Sequence, residues 1–291
     1  MKVEFYGVRG STPTPGENTM LFGGNTSCVY IYLDNGHDVI LDSGTGIIAL
    51  GNQLEKNSRP IYMLLTHNHW DHIQGFPYFR PIYQEKRKIS IVPGAVDYDD
   101  KDAILKQMSG STHPVKYQQL PASINILTEM SQMKSFEIPG FSVQTQALNH
   151  PDGGSAYCVT AGGRKVAYVT DNELNSPDQM NTTWSQWLDF IADADMLIHD
   201  AQYSEEDLPL KLGWGHSTFS EVARLACEAK VKSLYIVSHD PARTDEELLH
   251  AEKKLQAKYG EQLDIYCARE GTMVDLTQQS CSKTSKTTDD S

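Results

Sequence analysis

The sequence has few basic residues, few cysteines and no long apolar run. Its 291 residues carry 25 Lys and Arg against 38 Asp and Glu, which gives a net charge of −13. This balance argues against a large nucleic-acid surface, since polyanions are held mainly by Lys and Arg. It still allows a small anionic substrate, because bound divalent cations reverse the local field. No stretch reaches the roughly 18 consecutive apolar residues of a membrane helix, so no membrane partner is predicted.

The cysteines also limit the cellular compartment. The five are scattered, odd in number and without CxxC spacing: Cys28, Cys158, Cys227, Cys267 and Cys281. This pattern argues against a disulfide framework and indicates a reducing compartment. The N-terminal "MKVEFYGVRG" alternates like a strand and lacks the apolar segment of a signal peptide. We therefore expect a cytoplasmic location.

Strands alternate with helices and loops along the chain. "KVEFYGV", "CVYIYL", "DVILDSG" and "IYMLLTH" read as early strands, and "FSVQTQAL", "AYCVTAGG", "KVAYVTD" and "SLYIVSHD" as later ones. "NTTWSQWLDFIADAD", "STFSEVARLACEAK" and "DEELLHAEKKLQAKYG" read as helices, and "DIYCAREGTMVDL" as one last strand. The segment from 97 to 127 breaks the pattern with a short helix and an irregular stretch. We predict a layered α/β protein, one domain over residues 1–277, with a polar, disordered tail at 278–291.

The stretch "THNHWDH", residues 66 to 72, carries the strongest chemical signal. Histidines near a strand end can be ordinary buried residues, but three of them with an aspartate in seven positions are what a zinc-like ion binds. His67 and His69, two residues apart on an extended segment, project to the same side. Asp71 and His72 follow a bend and can face a second ion. The motif therefore predicts two metal ions rather than one.

Three further residues end predicted strands: His150, Asp171 and His239. Taken alone, each could be a cap or a surface residue. Together they stand at strand ends, where α/β sheets gather their ligand sites, and this favours a role as metal ligands. A carboxylate such as that of Asp171 can bridge two ions roughly 3.5–4 Å apart.

With these residues in order, "THNHWDH" resembles the HxHxDH signature of the metallo-β-lactamase-fold hydrolases, over roughly residues 1 to 275. The resemblance implies a four-layer αββα sandwich with two divalent ions at one edge of the sheets. It implies that Asp171 holds both ions, with one ion on His67, His69 and His150 and the other on Asp71, His72 and His239. Zinc suits the histidine-rich set, while manganese or iron also accept imidazole and carboxylate.

Other stretches resemble the phosphodiesterase branch of that family, which includes ribonuclease Z, the phosphonate-pathway cyclic phosphodiesterase and bacterial cyclic-nucleotide phosphodiesterases. They are "GVRGSTPTPGEN", "GGNTSC" and "LDSGTG", in which Asp42 would hydrogen-bond a ligand histidine. "LIHDAQY" and "GWGHSTFSEV" resemble ribonuclease Z around a histidine that is not a ligand, here His216 oriented by Asp200. "GHST" also reads as the first turn of a helix, and both roles can hold.

The predicted enzyme is a dinuclear metal-dependent phosphodiesterase acting on a small phosphodiester, most readily a 3′,5′-cyclic nucleotide. Metal-bound hydroxide would attack phosphorus, and His216 would protonate the leaving oxygen. Asp71, Asp200 and His216 are the predicted catalytic residues. There are three alternatives: a ribonuclease Z-like endoribonuclease, an esterase, thioesterase or lactonase on the same fold, and a non-catalytic binding protein. The sequence lacks the basic arm, rich in Gly and Pro, with which ribonuclease Z grips tRNA. The resemblance also implies a homodimer.

Overall fold

The computed structural model describes residues 1–34, 36–96, 100–208 and 210–277, and within them the chain forms two seven-stranded sheets. The strands are β1 Lys2–Gly7, β2 Cys28–Tyr32, β3 Asp38–Leu41, β4 Ile61–Leu64, β5 Lys88–Val92, β6 Ser123–Ile126, β7 Ser135–Ile138, β8 Phe141–Ala147, β9 Ser155–Ala161, β10 Arg164–Val169, β11 Met196–Asp200, β12 Ser233–Val237, β13 Asp264–Cys267 and β14 Met273–Asp275. The helices are α1 Ile47–Leu54, α2 Trp70–Ile73, α3 Ala103–Lys106, α4 Trp184–Ile191, α5 Phe219–Glu228 and α6 Asp245–Tyr259.

Each sheet is half antiparallel and half parallel. The first has the order β14-β1-β2-β3-β4-β5-β6 and is parallel from β3 onward. The second has the order β13-β12-β11-β10-β9-β8-β7 and is parallel from β13 to β10. Parallel strands of one sheet end at the same edge, so the residues that follow β10, β11 and β12 come together. The loop after β4, in the other sheet, meets them where Nε2 of His67 lies 3.7 Å from Oδ2 of Asp171.

The side chains form three buried clusters in four layers. Phe5, Tyr157 and Tyr168 belong to the cluster between the sheets. Trp187, on α4, belongs to the cluster that α4, α5 and α6 form on the outer face of the second sheet, and Leu50, on α1, to the cluster on the outer face of the first. This arrangement confirms the predicted αββα sandwich. Across the described ranges, no helix has the length and apolar character needed to cross a membrane.

Local sequence explains where the later helices begin. Thr183, Thr218 and Thr244 precede α4, α5 and α6, and each accepts a hydrogen bond from the backbone three residues on, where a Gln or Glu completes the capping box. On α4, which the sequence predicts as a helix, two tryptophans face the core. Trp187 is fully buried, and Trp184 packs partly buried against the same cluster.

The structure corrects three of the predictions. The segment between β3 and β4 forms the helix α1, which the sequence pattern does not predict because the segment is short and contains a glycine. "DIYCAREGTMVDL" is two strands rather than one, since β13 and β14 lie in different sheets and the chain turns at Gly271, where φ is 79°. The supposedly irregular stretch before 127 includes β6, which pairs with β5. The predicted tail at 278–291 lies outside the described residues, and the domain boundary at 277 stays a prediction.

Candidate metal centre

Two histidines of the loop after β4, His67 and His69, lie beside two residues that follow strands much later in the chain, His150 and Asp171. One ligand atom from each of His67, His69, His150 and Asp171 lies within 4.8 Å of the others. The Nε2 atom of His150 is 3.1 Å from Nδ1 of His69 and 3.9 Å from Oδ2 of Asp171. The Nε2 atom of His67 is 3.7 Å from the same oxygen. Four donors thus converge on one point, as a single metal ion requires.

Asp171 also faces a second group of donors. Ligand atoms of Asp71, His72 and Asp171 lie within 4.8 Å of one another. The Nε2 atom of His72 is 3.2 Å from Oδ2 of Asp171 and 3.4 Å from Oδ2 of Asp71. The Oδ1 atom of Asp171 accepts hydrogen bonds of 2.9 Å from the hydroxyls of Thr170 and Ser238. This leaves Oδ2 turned toward both groups, which is the geometry that a bridging carboxylate needs.

His239 lies in neither of these two groups. Its Nε2 donates a 2.9 Å hydrogen bond to the carbonyl of Ala268, so Nδ1 carries the lone pair. That Nδ1 is buried and has no hydrogen-bond partner in the described part of the chain. Burial lowers the pKa of His239 to about 3, so the ring is neutral. The role of His239 as a ligand stays a prediction, and Nδ1 is the atom that could fill it.

The charges and the unpaired atoms of the site fit metal ions. Burial lowers the pKa of His67 well below its ordinary value and that of His150 to about 4, so both rings are neutral, as ligands must be. Nε2 of His67 is buried and receives no hydrogen bond from the residues that the structure describes. Burial also acts to lower the pKa of His72, but Asp71, Asp171 and Asp42 outweigh it and raise that pKa well above normal. Divalent cations would neutralise this excess of buried carboxylate.

Asp42 holds His72 from behind, as the sequence predicts. It lies at the end of β3, and its Oδ2 accepts a 2.8 Å hydrogen bond from Nδ1 of His72 and a 2.9 Å bond from the hydroxyl of Tyr168. Its Oδ1 accepts the backbone N–H of Thr66 at 2.8 Å. With Nδ1 engaged, Nε2 of His72 is left for a metal, which is how ligand histidines are oriented in metal sites.

The predicted pair of Asp200 and His216 lies beside the first group. Nδ1 of His216 is 3.3 Å from Oδ2 of Asp200, both side chains are buried, and the His216 ring is 5.5 Å from the ring of His150. Burial acts to lower the pKa of His216, but the charges of Asp171 and Asp200 outweigh it and raise that pKa. This ring therefore holds its proton more firmly than a free histidine does. Asp200 also accepts the backbone N–H groups of Asn172 and Ser217, so it holds the loop as well as the ring.

Sequence reasoning missed several residues that support the site. The backbone N–H of Ser11, whose φ is 63°, donates a 2.7 Å hydrogen bond to Oδ2 of Asp71. The hydroxyl of Ser238 donates a hydrogen bond to Asp171. Glu173 accepts one from the backbone of the loop before His216. Ser11 and Ser238 both have a positive φ, 63° and 53°, and no pattern in the sequence announces it. These partners are 40 or more residues away along the chain, which is why motifs could not reveal them.

The remaining histidines are structural or peripheral. Nδ1 of His199 donates to the carbonyl of Asp200 at 2.7 Å, and the ring is buried. His113 is a buried loop residue whose Nδ1 contacts the backbone of Val115. His250 is exposed, and His37 is partly exposed and meets the ring of Tyr62.

Comparison with known proteins identifies the family. Residues 37–239 match the model of the beta-lactamase superfamily domain. The chain is 32% identical over 99 residues to a ribonuclease Z of Thermoplasma acidophilum, covering 33% of this chain and 29% of that protein. It is 23% identical to a ribonuclease Z of Lactiplantibacillus plantarum over 84% of this chain and 88% of the other.

The fold has close counterparts among solved structures. The metallo-beta-lactamase fold protein YhfI of Bacillus subtilis superposes with a TM-score of 0.68 at 17% identity, covering 94% of this chain and 99% of that one. The predicted fold is thereby confirmed, and the matches are consistent with the predicted metal-dependent hydrolase. The family match spans most of the chain and includes every member of the two ligand groups, and we conclude that the chain belongs to the beta-lactamase superfamily.

Proposed function

We propose that the chain is a dinuclear metal-dependent phosphodiesterase that hydrolyses a small phosphodiester, most readily a 3′,5′-cyclic nucleotide. One observation carries the proposal: two donor groups share Asp171, and a buried histidine–aspartate pair, His216 and Asp200, lies beside them. Hydrolysis of a phosphodiester needs a nucleophile on one side of phosphorus and a proton for the leaving oxygen on the other. The arrangement offers residues for both tasks.

In this proposal His67, His69 and His150 hold one ion, Asp71, His72 and His239 hold the other, and Asp171 holds both. When bound, such ions supply an activated water nucleophile and neutralise charge on the phosphoryl oxygens. The protein keeps the donors oriented through hydrogen bonds on their far sides. Asp42 holds His72, the Ser11 N–H holds Asp71, and the Gly215 carbonyl holds His150.

His216 is proposed to protonate the leaving oxygen. Its Nδ1 faces Asp200, so Nε2 is the ring atom directed away from that carboxylate and able to give its proton to substrate. Asp200 stabilises the charged imidazolium that must exist before the transfer. The Tyr203 ring meets the His216 ring edge-on at 5.4 Å and restricts its movement.

Two exposed tryptophans support a substrate that carries a base. Trp70, between His69 and Asp71, is 72% exposed, and Trp214, two residues before His216, is 61% exposed. Both flank proposed site residues in the chain, and stacking of a base on an aromatic side chain contributes about 1–3 kcal/mol. Both are therefore proposed to contact the nucleoside of the substrate.

Replacing Trp214 by alanine is expected to raise KM for a cyclic nucleotide about tenfold, with a smaller change in kcat, because stacking is lost while the chemical groups remain. Steady-state kinetics on the variant would measure this. Trp184→Ala is the matched control, since Trp184 lies on α4 in contact with Glu228 and Arg224. An unchanged KM in Trp214→Ala would contradict a contact between this residue and substrate.

A ribonuclease Z-like endoribonuclease is the second candidate, because the curated relatives reported above carry that name. An esterase, thioesterase or lactonase on the same fold is the third. The net charge of −13 favours the small substrate over tRNA. The cytoplasmic location and the homodimer stay predictions, and light scattering on the purified chain would test the dimer.

The deciding experiment is a turnover panel on metal-quantified protein. It compares 3′,5′-cyclic purine and pyrimidine nucleotides with bis(p-nitrophenyl) phosphate, a tRNA precursor and a thioester. We expect fast hydrolysis of a cyclic nucleotide, abolished by a chelator and restored by zinc or manganese. Cleavage of the tRNA precursor alone would favour the endoribonuclease, and turnover of the thioester alone would refute the phosphodiesterase.

A further inference from the structure

Glu173 joins separate segments of the site from a buried position two residues after Asp171. Its side chain is 4% exposed, and its Oε1 accepts the backbone N–H of Gly213 at 2.8 Å. Its Oε2 accepts the N–H of Gly215 at 3.0 Å. Its own N–H donates to the carbonyl of Asn149 at 2.9 Å. One carboxylate thus fixes the backbone on which the next residue, His216, is carried.

The same backbone orients His150. The Gly215 carbonyl accepts a 3.0 Å hydrogen bond from Nδ1 of His150, which directs Nε2 toward His69 and Asp171. The approach is close: Gly215 has φ 86°, and a Cβ at this position would come within 2.1 Å of Nδ1 of His150. The position of the His150 ring therefore depends on the position of the Gly215 backbone.

On the N-terminal side of His216 the described residues offer this backbone few other contacts, whereas on its C-terminal side the N–H of Ser217 donates to Asp200 at 3.1 Å. The preceding residues Leu210, Leu212 and Trp214 are 86%, 48% and 61% exposed, so they bury little apolar surface that could fix the loop. Lys211 forms an ion pair of 2.8 Å with Asp240 and anchors the loop at another point. The two hydrogen bonds to Glu173 are therefore the contacts that hold 213–215, while Asp200 holds Ser217 on the other side of His216.

We propose that Glu173 is a positioning residue. It holds the backbone of 213–215 so that the Gly215 carbonyl orients His150 toward the first ion and His216 stays beside it. The consequence for turnover rests on the proposed function, but the orientation of His150 does not. A carboxylate can accept both N–H groups, whereas an amide has one acceptor oxygen and turns donors toward the second N–H. Glu173→Gln therefore removes one of the two bonds with little change in shape.

The test measures zinc affinity by competition with a chromophoric chelator, together with hydrogen exchange of the backbone at 213–217. We expect Glu173→Gln to weaken binding of one of the two ions about 10–100-fold, the range seen for residues that orient ligands, and to speed exchange of these amides. Asp195→Asn is the matched control. Asp195 is also a buried carboxylate that accepts a backbone N–H, from Lys165 at 2.9 Å, and it belongs to neither donor group.

An unchanged zinc affinity in Glu173→Gln would overturn the proposal, whether or not the amides of 213–217 exchange faster. An equal loss in Asp195→Asn would overturn it too, because the effect would then be general destabilisation. Zinc affinity is measured without substrate, so the result stands apart from success or failure of the phosphodiesterase assay.

A pair of glycine variants tests the same link if Glu173→Gln does not fold. Gly213 and Gly215 have nearly equal φ values, 85° and 86°, so alanine is strained alike at both. Only at Gly215 does the added Cβ meet His150, since at Gly213 the nearest atoms are 3.7 Å away. We expect Gly215→Ala to lose at least tenfold more zinc affinity than Gly213→Ala. Equal losses would contradict the orientation of His150 by Gly215.

Discussion

Asp171→Asn is expected to bind neither metal ion firmly and to lose about a thousandfold or more in phosphodiester turnover, since each ion contributes several kcal/mol to the transition state. The Oδ2 atom of Asp171 is 3.2 Å from Nε2 of His72 and 3.7 Å from Nε2 of His67, so one oxygen serves both groups. The amide keeps the shape of the side chain but removes the charge that both ions share. Metal content per chain after dialysis, together with turnover, would measure the loss.

Asp195→Asn is the control for that experiment. Asp195 is also a buried carboxylate, paired with Arg164 at 2.9 Å and Lys232 at 2.7 Å, and it belongs to neither donor group. It should keep the wild-type metal content. Two ions per chain retained by Asp171→Asn would rule out the bridging role and leave the two groups to be explained as separate sites.

His216→Ala is expected to keep the metal ions and to slow turnover of substrates with alkoxide leaving groups by about 10²–10⁴-fold, the usual contribution of a general acid. The effect on bis(p-nitrophenyl) phosphate should be much smaller, because p-nitrophenolate leaves without a proton. The ratio of the two rates therefore reports proton donation rather than folding. Kinetics on both substrates, with metal content determined in parallel, would measure it.

His113→Ala is the matched control for this loss. His113 is about as buried as His216, 8% against 9%, and contacts the Val115 backbone rather than the donors. It should change both rates equally, if at all. Equal slowing of the two substrates by His216→Ala, or loss of metal in that variant, would refute the proton-donor role and make His216 a structural neighbour of His150.

Much of the candidate site could be predicted from sequence because its residues follow strands. His67, Asp171 and Asp200 stand at or just after the ends of apolar runs, and strand order then brings them to one edge. The assignment of His239 is less complete: within residues 1–277 and outside the gaps at 35, 97–99 and 209, its buried Nδ1 has no hydrogen-bond partner and belongs to neither donor group. Its prediction depends on family resemblance more than on the residues around it.

The fold was predictable where the pattern was long. The capped helices α4, α5 and α6 carry both a threonine cap and an apolar stripe, so two local signals agree. The helix α1 has no side-chain cap, and β13 and β14 are too short to show a period. Whether the last two strands share a sheet depends on packing, and the sequence carries no sign of it.

The sequence by itself determined the donors, their spacing and the layered fold, because residue type and periodicity are local properties. Apart from Asp42, which the family resemblance placed behind His72, tertiary structure decided what holds those donors in place. Ser11 reaches Asp71 across 60 residues, and Glu173 reaches Gly213 and Gly215 across about 40. These contacts are single hydrogen bonds between backbone amides and side chains, and a backbone N–H exists at every residue except proline. Which one is directed at a carboxylate is therefore set by the path of the chain and not by the letters of the sequence.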